Sequence, residues 1–251
     1  MSTATRTSRP VEPDPSATTP DPSTAWLARL AGRFVVFDGP DGSGKSTQLQ
    51  RFAAECGSHG VAIEMVRDPG GTAVGERIRE VLLNRDHDGM GVRCEMLLYM
   101  ASRAELVESQ IRPAIAAGKL VLADRFVSST LAYQGAAGGL TAEEIRAVAQ
   151  VATGGLWPDV TVLLDVDTET ANCRMTGGQP RSKAADATMS LFADRMEAKG
   201  DAFHARVRQG YLDQAGSDPE HYVVVDATAS PDDVWTGLME SLAAHAIAQP
   251  K

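Results

Sequence analysis

The amino-acid sequence predicts an α/β fold in which helices cover both faces of a central five-stranded parallel sheet, giving three layers. Two observations support this prediction. Short apolar runs rich in β-forming residues alternate with amphipathic helical stretches from residue 33 onwards, and a glycine-rich turn joins the first run to the first helix. Near-continuous hydrophobic strands separated by helices are typical of parallel sheets with two buried faces.

The predicted elements follow one another in regular order. We expect strands at residues 34–38, 62–67, 120–124, 160–165 and 222–226. We expect helices at residues 46–59, 72–84, 93–118, 141–153, 168–175, 190–216 and 231–248. Several of the strands end in Asp or Arg, and ligands of such sheets bind beyond the carboxyl ends of the strands. The sequence therefore predicts one domain over residues 32–251, with its site at that edge of the sheet.

Residues 1–31 differ from the rest of the chain in composition. Fifteen of them are Pro, Ser or Thr, and Trp26, Leu27 and Leu30 stand at the end of the segment. Such a composition buries too little apolar surface to offset the entropy lost on ordering. We expect a disordered N-terminal tail that ends at residue 31.

Charge, hydropathy and cysteine usage exclude several classes of protein. The net charge is −9, whereas a nucleic-acid surface needs a basic face. No apolar run is long enough to span a membrane. The three cysteines are far apart and odd in number, which argues against a disulfide framework and indicates a reducing, cytoplasmic setting.

The turn after the first strand has the spacing G-x-x-x-x-G-K-S of a phosphate-binding loop. Its residues are Gly39, Pro40, Asp41, Gly42, Ser43, Gly44, Lys45, Ser46 and Thr47. In such a loop the backbone N–H groups converge on an anion, the lysine reaches the outer phosphates and the Ser46 hydroxyl is placed to bind Mg²⁺. Glycine-rich turns also occur by chance, but here a strand precedes the turn and a helical pattern follows it. The loop predicts a P-loop NTPase-type fold that binds a nucleoside triphosphate.

Two more clusters follow predicted strands. Residues 67–72 read Arg-Asp-Pro-Gly-Gly-Thr, which suits a simple turn, although an Arg directly after a buried strand favours a functional role. The third strand delivers Asp124 and Arg125, which are candidates to hold Mg²⁺ or its water and to clamp phosphates. The alternative is an Asp–Arg ion pair that closes the strand, and both interpretations can hold.

Three further features have a functional and a purely structural interpretation. Tyr99 and Arg103 lie four apart on one helix, so they either contact a nucleobase or are a core Tyr and a surface Arg. Residues 128–135 supply hydroxyls and an amide that suit base edges, or form a polar helix or loop. Residues 174–206 are rich in basic residues and interrupted by Gly and Pro, as expected of a flexible lid over phosphates at about residues 174–200, or of a solvated helix face.

Together these segments resemble the thymidylate kinase (dTMP kinase) family over nearly all of residues 33–248. The phosphate loop alone is unspecific, whereas the Arg-Asp-Pro-Gly-Gly segment and the later Asp-Arg-Phe…Ala-Tyr-Gln-Gly segment together are highly specific. The matching segments are 38–47, 67–72, 98–103, 124–135, 157–166, 194–197 and 225–228.

The resemblance implies transfer of a phosphoryl group from ATP to dTMP with Mg²⁺, in a homodimer. It places Asp41 near the deoxyribose 3′-hydroxyl and the metal, Arg67 and Arg125 on the dTMP phosphate, and Tyr99 against the base. The residues that it places around the thymine are Arg103, Ser129, Thr130 and Gln134. Asp68, which belongs to the same substrate-binding set, stands where the family usually has Glu.

The phosphate loop contains no arginine, and the resemblance implies that the lid supplies one. The candidates are Arg174, Arg181 and Arg195. We favour Arg181 as the mobile catalytic arginine and expect Arg195 to hold ATP or to organise the lid. The lid is longer than is common in the family.

Two other functions are compatible with parts of the sequence. A different nucleotide kinase or a deoxynucleoside kinase would share the phosphate loop, although Arg67 and Arg125 suit an acceptor that already carries a phosphate. A nucleotide-gated regulator is the alternative outside the enzymes, but no guanine-reading Asn-Lys-x-Asp sequence occurs.

Overall fold

The computed structural model describes residues 24–175 and 200–248. The strands are β1 (Phe34–Asp38), β2 (Ile63–Arg67), β3 (Leu120–Asp124), β4 (Val160–Asp165) and β5 (Tyr222–Asp226). All four neighbouring pairs are parallel, and the strand order is β2-β3-β1-β4-β5. The predicted five-stranded parallel sheet is confirmed.

Nine α-helices can be numbered in the described part of the chain. They are α1 (Lys45–Ser58), α2 (Ala73–Leu83), α3 (Val92–Leu106), α4 (Arg112–Ala116), α5 (Val127–Thr130), α6 (Ala142–Ala152), α7 (Thr168–Met175), α8 (Asp201–Ser217) and α9 (Pro231–Ala248). The helix predicted at 190–216 matches α8 from residue 201, and its residues 190–199 lie outside the described ranges.

The helix predicted at 93–118 consists of α3, a π-helical turn at Val107–Ile111, and α4. Pro113 stands in the first turn of α4. Proline has no N–H to donate, and its ring crowds the carbonyl one turn earlier. The π turn directly before α4 therefore lies where a regular helical hydrogen-bond pattern is interrupted. A second π turn, Leu131–Ala136, continues α5.

Side chains of β1 alternate between two separate cores. Val35 and Phe37 pack with α1 and α9, whereas Phe34 and Val36 pack with α3 and α6. All five residues of β1 are buried, as a central strand covered on both faces requires. β1 lies between β3 and β4, so the chain connections diverge at its carboxyl end and leave a crevice there.

The predicted end of the N-terminal tail at residue 31 needs correction. Ala25–Leu30 form a 3₁₀ helix whose Trp26, Leu27 and Leu30 are buried in the core beside α1 and α9. The Trp26 ring lies 6.3 Å from that of Phe52. The polar composition of residues 1–31 as a whole outweighed three apolar residues that pack into the same core. Residues 1–23 lie outside the described ranges.

Among the described residues, no helix combines the length and the apolar character needed to cross a bilayer.

Candidate active site

The phosphate loop connects β1 to α1 in a conformation that needs glycine. Gly39 and Gly42 have φ values of 137° and 79°. A side chain at Gly39 would collide with the Leu164 carbonyl oxygen. A Cβ at Gly42 would lie 2.6 Å from the Ala171 carbonyl oxygen. Substitution at either position is therefore opposed both by the backbone conformation and by the neighbouring backbone.

Lys45 opens α1 and turns back over the loop. Its Nζ donates a hydrogen bond of 2.9 Å to the Pro40 carbonyl oxygen, and it lies 3.9 Å from Asp41 Oδ1. Burial and the nearby Arg125 charge together lower the pKa of Lys45 to about 8, although Asp41 opposes the shift. An anion beside Lys45 would stabilise the protonated form.

Ser46 and Asp124 come together from α1 and the end of β3. The Ser46 hydroxyl donates to Asp124 Oδ2 at 3.2 Å. Mg²⁺ takes oxygen ligands, commonly one or two carboxylates together with phosphate oxygens and water. This hydroxyl and this carboxylate beside a phosphate loop fit that ligand preference, and their assignment as Mg²⁺ ligands stays a prediction.

Arg125 lies where the phosphate loop, β3 and α8 meet. Its Nη2 donates to Asp41, while Nη1 lies 3.2 Å from Asp38 Oδ1 and 3.0 Å from the Tyr211 hydroxyl. Its φ is 70°, which is rare for a residue other than glycine. Such strain persists where surrounding contacts hold it and is common at functional sites. The alternative of an Asp124–Arg125 ion pair is wrong, because Arg125 pairs with Asp38 and Asp41 instead.

The carboxylate of Asp41 remains charged over the ordinary pH range. Burial alone would raise its pKa, but the Arg125 and Lys45 charges and a hydrogen bond from Tyr133 outweigh burial and lower the pKa to about 2. The Tyr133 hydroxyl donates to Asp41 Oδ2 at 2.8 Å.

Asp38, at the end of β1, contacts Arg125 but was not among the predicted site residues. It is fully buried and accepts hydrogen bonds from the Tyr211 hydroxyl at 2.6 Å and the Ser128 hydroxyl at 2.6 Å, as well as from Ser129. A carboxylate at the end of a buried strand was a usable signal for Asp38. Tyr211 lies in an ordinary amphipathic helix and gave no signal in the sequence.

At the other end of the site Arg103 is almost completely buried, with 1% of its surface exposed. Its Nε donates to Asp68 Oδ2 at 2.6 Å, and Nη2 donates to the Phe126 carbonyl at 3.0 Å and to Thr130 Oγ1 at 3.2 Å. Burial raises the pKa of Asp68, although the Arg103 charge opposes the shift. The interpretation of Arg103 as a surface residue is wrong.

Gln134 and Glu95 form a second buried polar pair close by. The Gln134 Nε2 donates to Glu95 Oε1 at 2.6 Å, and both residues are almost fully buried. Gln134 was a predicted site residue. Glu95 was missed, because a single acidic residue in the first turn of a helix is also explained by the helix dipole.

Arg67 is placed differently from Arg103 and Arg125. It is exposed, and its Nη2 donates to Glu76 Oε1 at 2.8 Å. The same Glu76 oxygen accepts a hydrogen bond from the Gly71 backbone N–H, so α2 fixes the turn that follows β2.

One cleft, beyond the carboxyl ends of β1, β2 and β3, is lined by most of these residues. Its predicted members are Asp41, Arg67, Asp68, Tyr99, Arg103, Asp124, Arg125, Ser129, Thr130 and Gln134. Its unpredicted members are Pro69, Arg79, Leu83 and Tyr133. A cleft with polar and charged groups at both ends suits a small molecule that carries an anionic group.

The predicted lid arginines have different outcomes. Arg174, at the end of α7, donates to the carbonyl oxygens of Ala227, Thr228 and Ala229, so it fixes the loop after β5. Arg181 and Arg195 lie outside the described residues. Arg208, on α8, was missed; it forms a two-bond ion pair with Asp165, with both distances 2.7 Å.

Comparison with known proteins identifies the family. The model of the family described as thymidylate kinase matches residues 37–236. A thymidylate kinase from Exiguobacterium sibiricum is 41% identical over 213 residues, covering 85% of this chain and 95% of the relative. One from Deinococcus radiodurans is 42% identical over 216 residues, covering 83% and 97%. A third, from Thermomicrobium roseum, is 44% identical over 211 residues, covering 82% and 94%. The family match and these relatives agree with the geometry of the cleft: this chain belongs to the thymidylate kinase family.

Proposed function

We propose that this chain transfers the γ-phosphoryl group of ATP to dTMP and so forms ADP and dTDP. The observation that carries the proposal is the cleft itself, which starts at Asp41 in the phosphate loop and ends at a buried wall of Arg103 and Gln134. A monophosphate acceptor can thus lie beside the triphosphate donor. Phosphoryl transfer needs such positioning and charge neutralisation more than it needs an acid or a base.

The acceptor phosphate is held by Arg67 and Arg125. Both line the cleft, and both are now paired with carboxylates, Glu76 and Asp41 respectively. A phosphate can replace these carboxylates as the partner of the guanidinium groups, since arginine binds either anion through its planar fork.

The acceptor base occupies the other end of the cleft. Tyr99 lies there half-buried and offers a ring face for stacking. Arg103 can only donate hydrogen bonds, and the Gln134 amide can both donate and accept. Thr130 is fixed by Arg103, and Ser129 by Asp38 and Arg125, so these hydroxyls act in positioning.

The donor phosphates lie on the backbone of the phosphate loop and on Lys45. Ser46 and Asp124 would hold Mg²⁺, which would neutralise charge on the donor phosphates. The adenine lies near the loop after β5, whose carbonyl groups Arg174 fixes. Because the Arg174 guanidinium is hydrogen-bonded to that loop, Arg181 and Arg195 remain the candidates for the arginine that stabilises the transition state.

We also propose that the enzyme is a cytoplasmic homodimer. Val74 and Val81 on α2 and Leu97 on α3 are exposed large apolar residues on two helices that pack against each other. A second copy of the chain would cover them. The exposed thiols of Cys94 and Cys173 suit a reducing compartment.

A coupled assay over a panel of nucleoside monophosphates, with ATP and Mg²⁺, tests the proposal. We expect ADP formation with dTMP at a far higher kcat/KM than with dCMP or purine monophosphates. Preference for another monophosphate would indicate a different nucleotide kinase. Turnover only with unphosphorylated nucleosides would indicate a deoxynucleoside kinase, and slow hydrolysis that no acceptor stimulates would indicate a nucleotide-gated regulator.

A further inference from the structure

The buried pair of Glu95 and Gln134 lies at the base end of the cleft and joins two elements that are distant in sequence. Glu95 lies in the first turn of α3, and Gln134 lies in the π turn that continues α5. Their exposed fractions are 3% and 2%, and the bond from Gln134 Nε2 to Glu95 Oε1 is 2.6 Å. Because both side chains are almost fully buried, they are held in this hydrogen-bonded arrangement.

The chemistry of the pair fixes which end of the amide faces Glu95. An ionised carboxylate only accepts hydrogen bonds, whereas a glutamine amide has a donating nitrogen and an accepting oxygen. The nitrogen must therefore face Glu95, and the oxygen points elsewhere. With the opposite orientation two acceptor oxygens would meet in a buried site, at a substantial cost in free energy.

The oxygen of Gln134 is available to a ligand. It forms no hydrogen bond with the described residues, and it is not sealed from solvent. Gln134 lines the cleft. The accessible polar atom of this nearly buried side chain is thus an acceptor at the cleft wall.

Arg103 supplies the complementary donor. Four hydrogen bonds join its guanidinium to Asp68, Met100, Phe126 and Thr130, and a guanidinium has five N–H groups. Arg103 lines the same cleft. The wall therefore combines a group that can only donate with an acceptor that Glu95 holds in place.

This pattern matches one type of pyrimidine. Thymine and uracil present the acceptor O4 beside the donor N3–H, whereas cytosine presents the donor N4–H₂ beside the acceptor N3. We infer that Glu95 is a positioning residue for specificity, which fixes the Gln134 amide with its oxygen towards the base and so excludes cytosine nucleotides. The inference deepens the proposed function and rests on its placement of the base beside Gln134.

The test is the ratio of kcat/KM for dTMP to kcat/KM for dCMP in Glu95→Gln. A neutral amide at position 95 can accept or donate, so Gln134 becomes free to turn its nitrogen towards N3 of cytosine. We expect the ratio to fall about 10- to 100-fold, the effect of one mismatched hydrogen bond in a buried site. Part of the preference should persist, because Arg103 still rejects the amino group of cytosine.

Two further variants separate positioning from general damage. Glu144→Gln removes the same charge at an exposed position of α6 and should leave the ratio unchanged. The exchanged pair Glu95→Gln with Gln134→Glu again places an acceptor towards the base, since the carboxylate at 134 accepts from the amide at 95. This double variant should recover most of the preference for dTMP.

An unchanged ratio in Glu95→Gln, with kcat/KM lowered equally for both substrates, would overturn the inference. If that variant does not fold, Glu95→Asp provides the same test, because it withdraws the carboxylate by one methylene and should also lower the ratio. A wild-type enzyme that does not use dTMP would instead refute the proposed function. The two failures are therefore distinguishable.

Discussion

Arg103 and Arg67 line the same cleft, yet the protein holds them in opposite ways. At the base end, Arg103 is 1% exposed and bonded to groups on two other segments of the chain, at Asp68 and at Phe126 and Thr130. At the phosphate end, half of the Arg67 side chain is exposed, and its partner Glu76 is exposed to a similar degree. In the proposed function the buried end reads the hydrogen-bond pattern of the base, and the exposed Arg67 exchanges one anionic partner for another.

The difference fits what each end recognises in the proposed function. Discrimination between bases depends on donors and acceptors that cannot rotate to suit the wrong partner, so that end is buried and its hydrogen bonds are satisfied. Phosphates arrive and leave in every catalytic cycle, so their cations need partners that can be replaced. Arg125 is intermediate, because it is partly buried but pairs with the carboxylate of Asp41 inside the cleft.

Replacement of the two arginines should show this contrast most strongly. Arg103→Leu leaves Asp68 buried without its ion-pair partner, so we expect the free energy of unfolding to fall by about 3–5 kcal/mol. Arg67→Leu breaks only an exposed pair and should lower it by less than about 1 kcal/mol. Urea unfolding of both variants at one protein concentration measures the difference, and equal losses would remove the distinction between the two ends.

Lys45→Ala should affect the reaction and leave the fold intact. The ammonium group is bonded to one backbone carbonyl and lies near another cation, so the fold loses little when it is removed. Loss of a charge that neutralises the transferred phosphoryl group should lower kcat by about 10²–10³-fold or more. Single-turnover kinetics and thermal unfolding check both parts, and retained turnover would contradict the role of the phosphate loop.

Tyr211→Phe tests whether the phosphate end also depends on a buried network. The hydroxyl donates to Asp38 and lies beside Arg125 and Ser129. Its removal should lower kcat/KM for dTMP about tenfold, because Arg125 loses a fixed neighbour. Tyr222→Phe is the matched control, since that hydroxyl donates to Gln214 outside the cleft, and it should leave kcat/KM nearly unchanged.

The smallest expected effect is the uptake of a proton by Lys45 when ATP binds. With a pKa of about 8, roughly half of Lys45 is neutral at pH 8 in the ligand-free enzyme. The negative charge of ATP raises that pKa, so binding at pH 8 should take up as much as about half a proton per site. Calorimetry in buffers of different ionisation enthalpy measures the uptake. The uptake attributable to Lys45 should be absent in Lys45→Ala and should vanish for the wild type well below pH 8.

Much of the fold could be read from the sequence because its signals are local. The hydrophobic runs gave all five strands to within one residue, and the glycine spacing located the loop between β1 and α1. The 3₁₀ helix at Ala25–Leu30 escaped because its three buried residues follow a long polar segment, and only packing against α1 and α9 reveals their role.

The residues of the site also divide into those that a local sequence pattern predicts and those that only tertiary packing reveals. Sequence alone determined a phosphate loop with Lys45 and Ser46, and a set of arginines at strand ends, because these depend on residues a few positions apart. Tertiary structure alone decided that Arg103 is buried, that Arg125 pairs with Asp41, and that Glu95 meets Gln134 thirty-nine positions away. Such contacts depend on strand order and helix packing, which bring together residues that no local pattern connects.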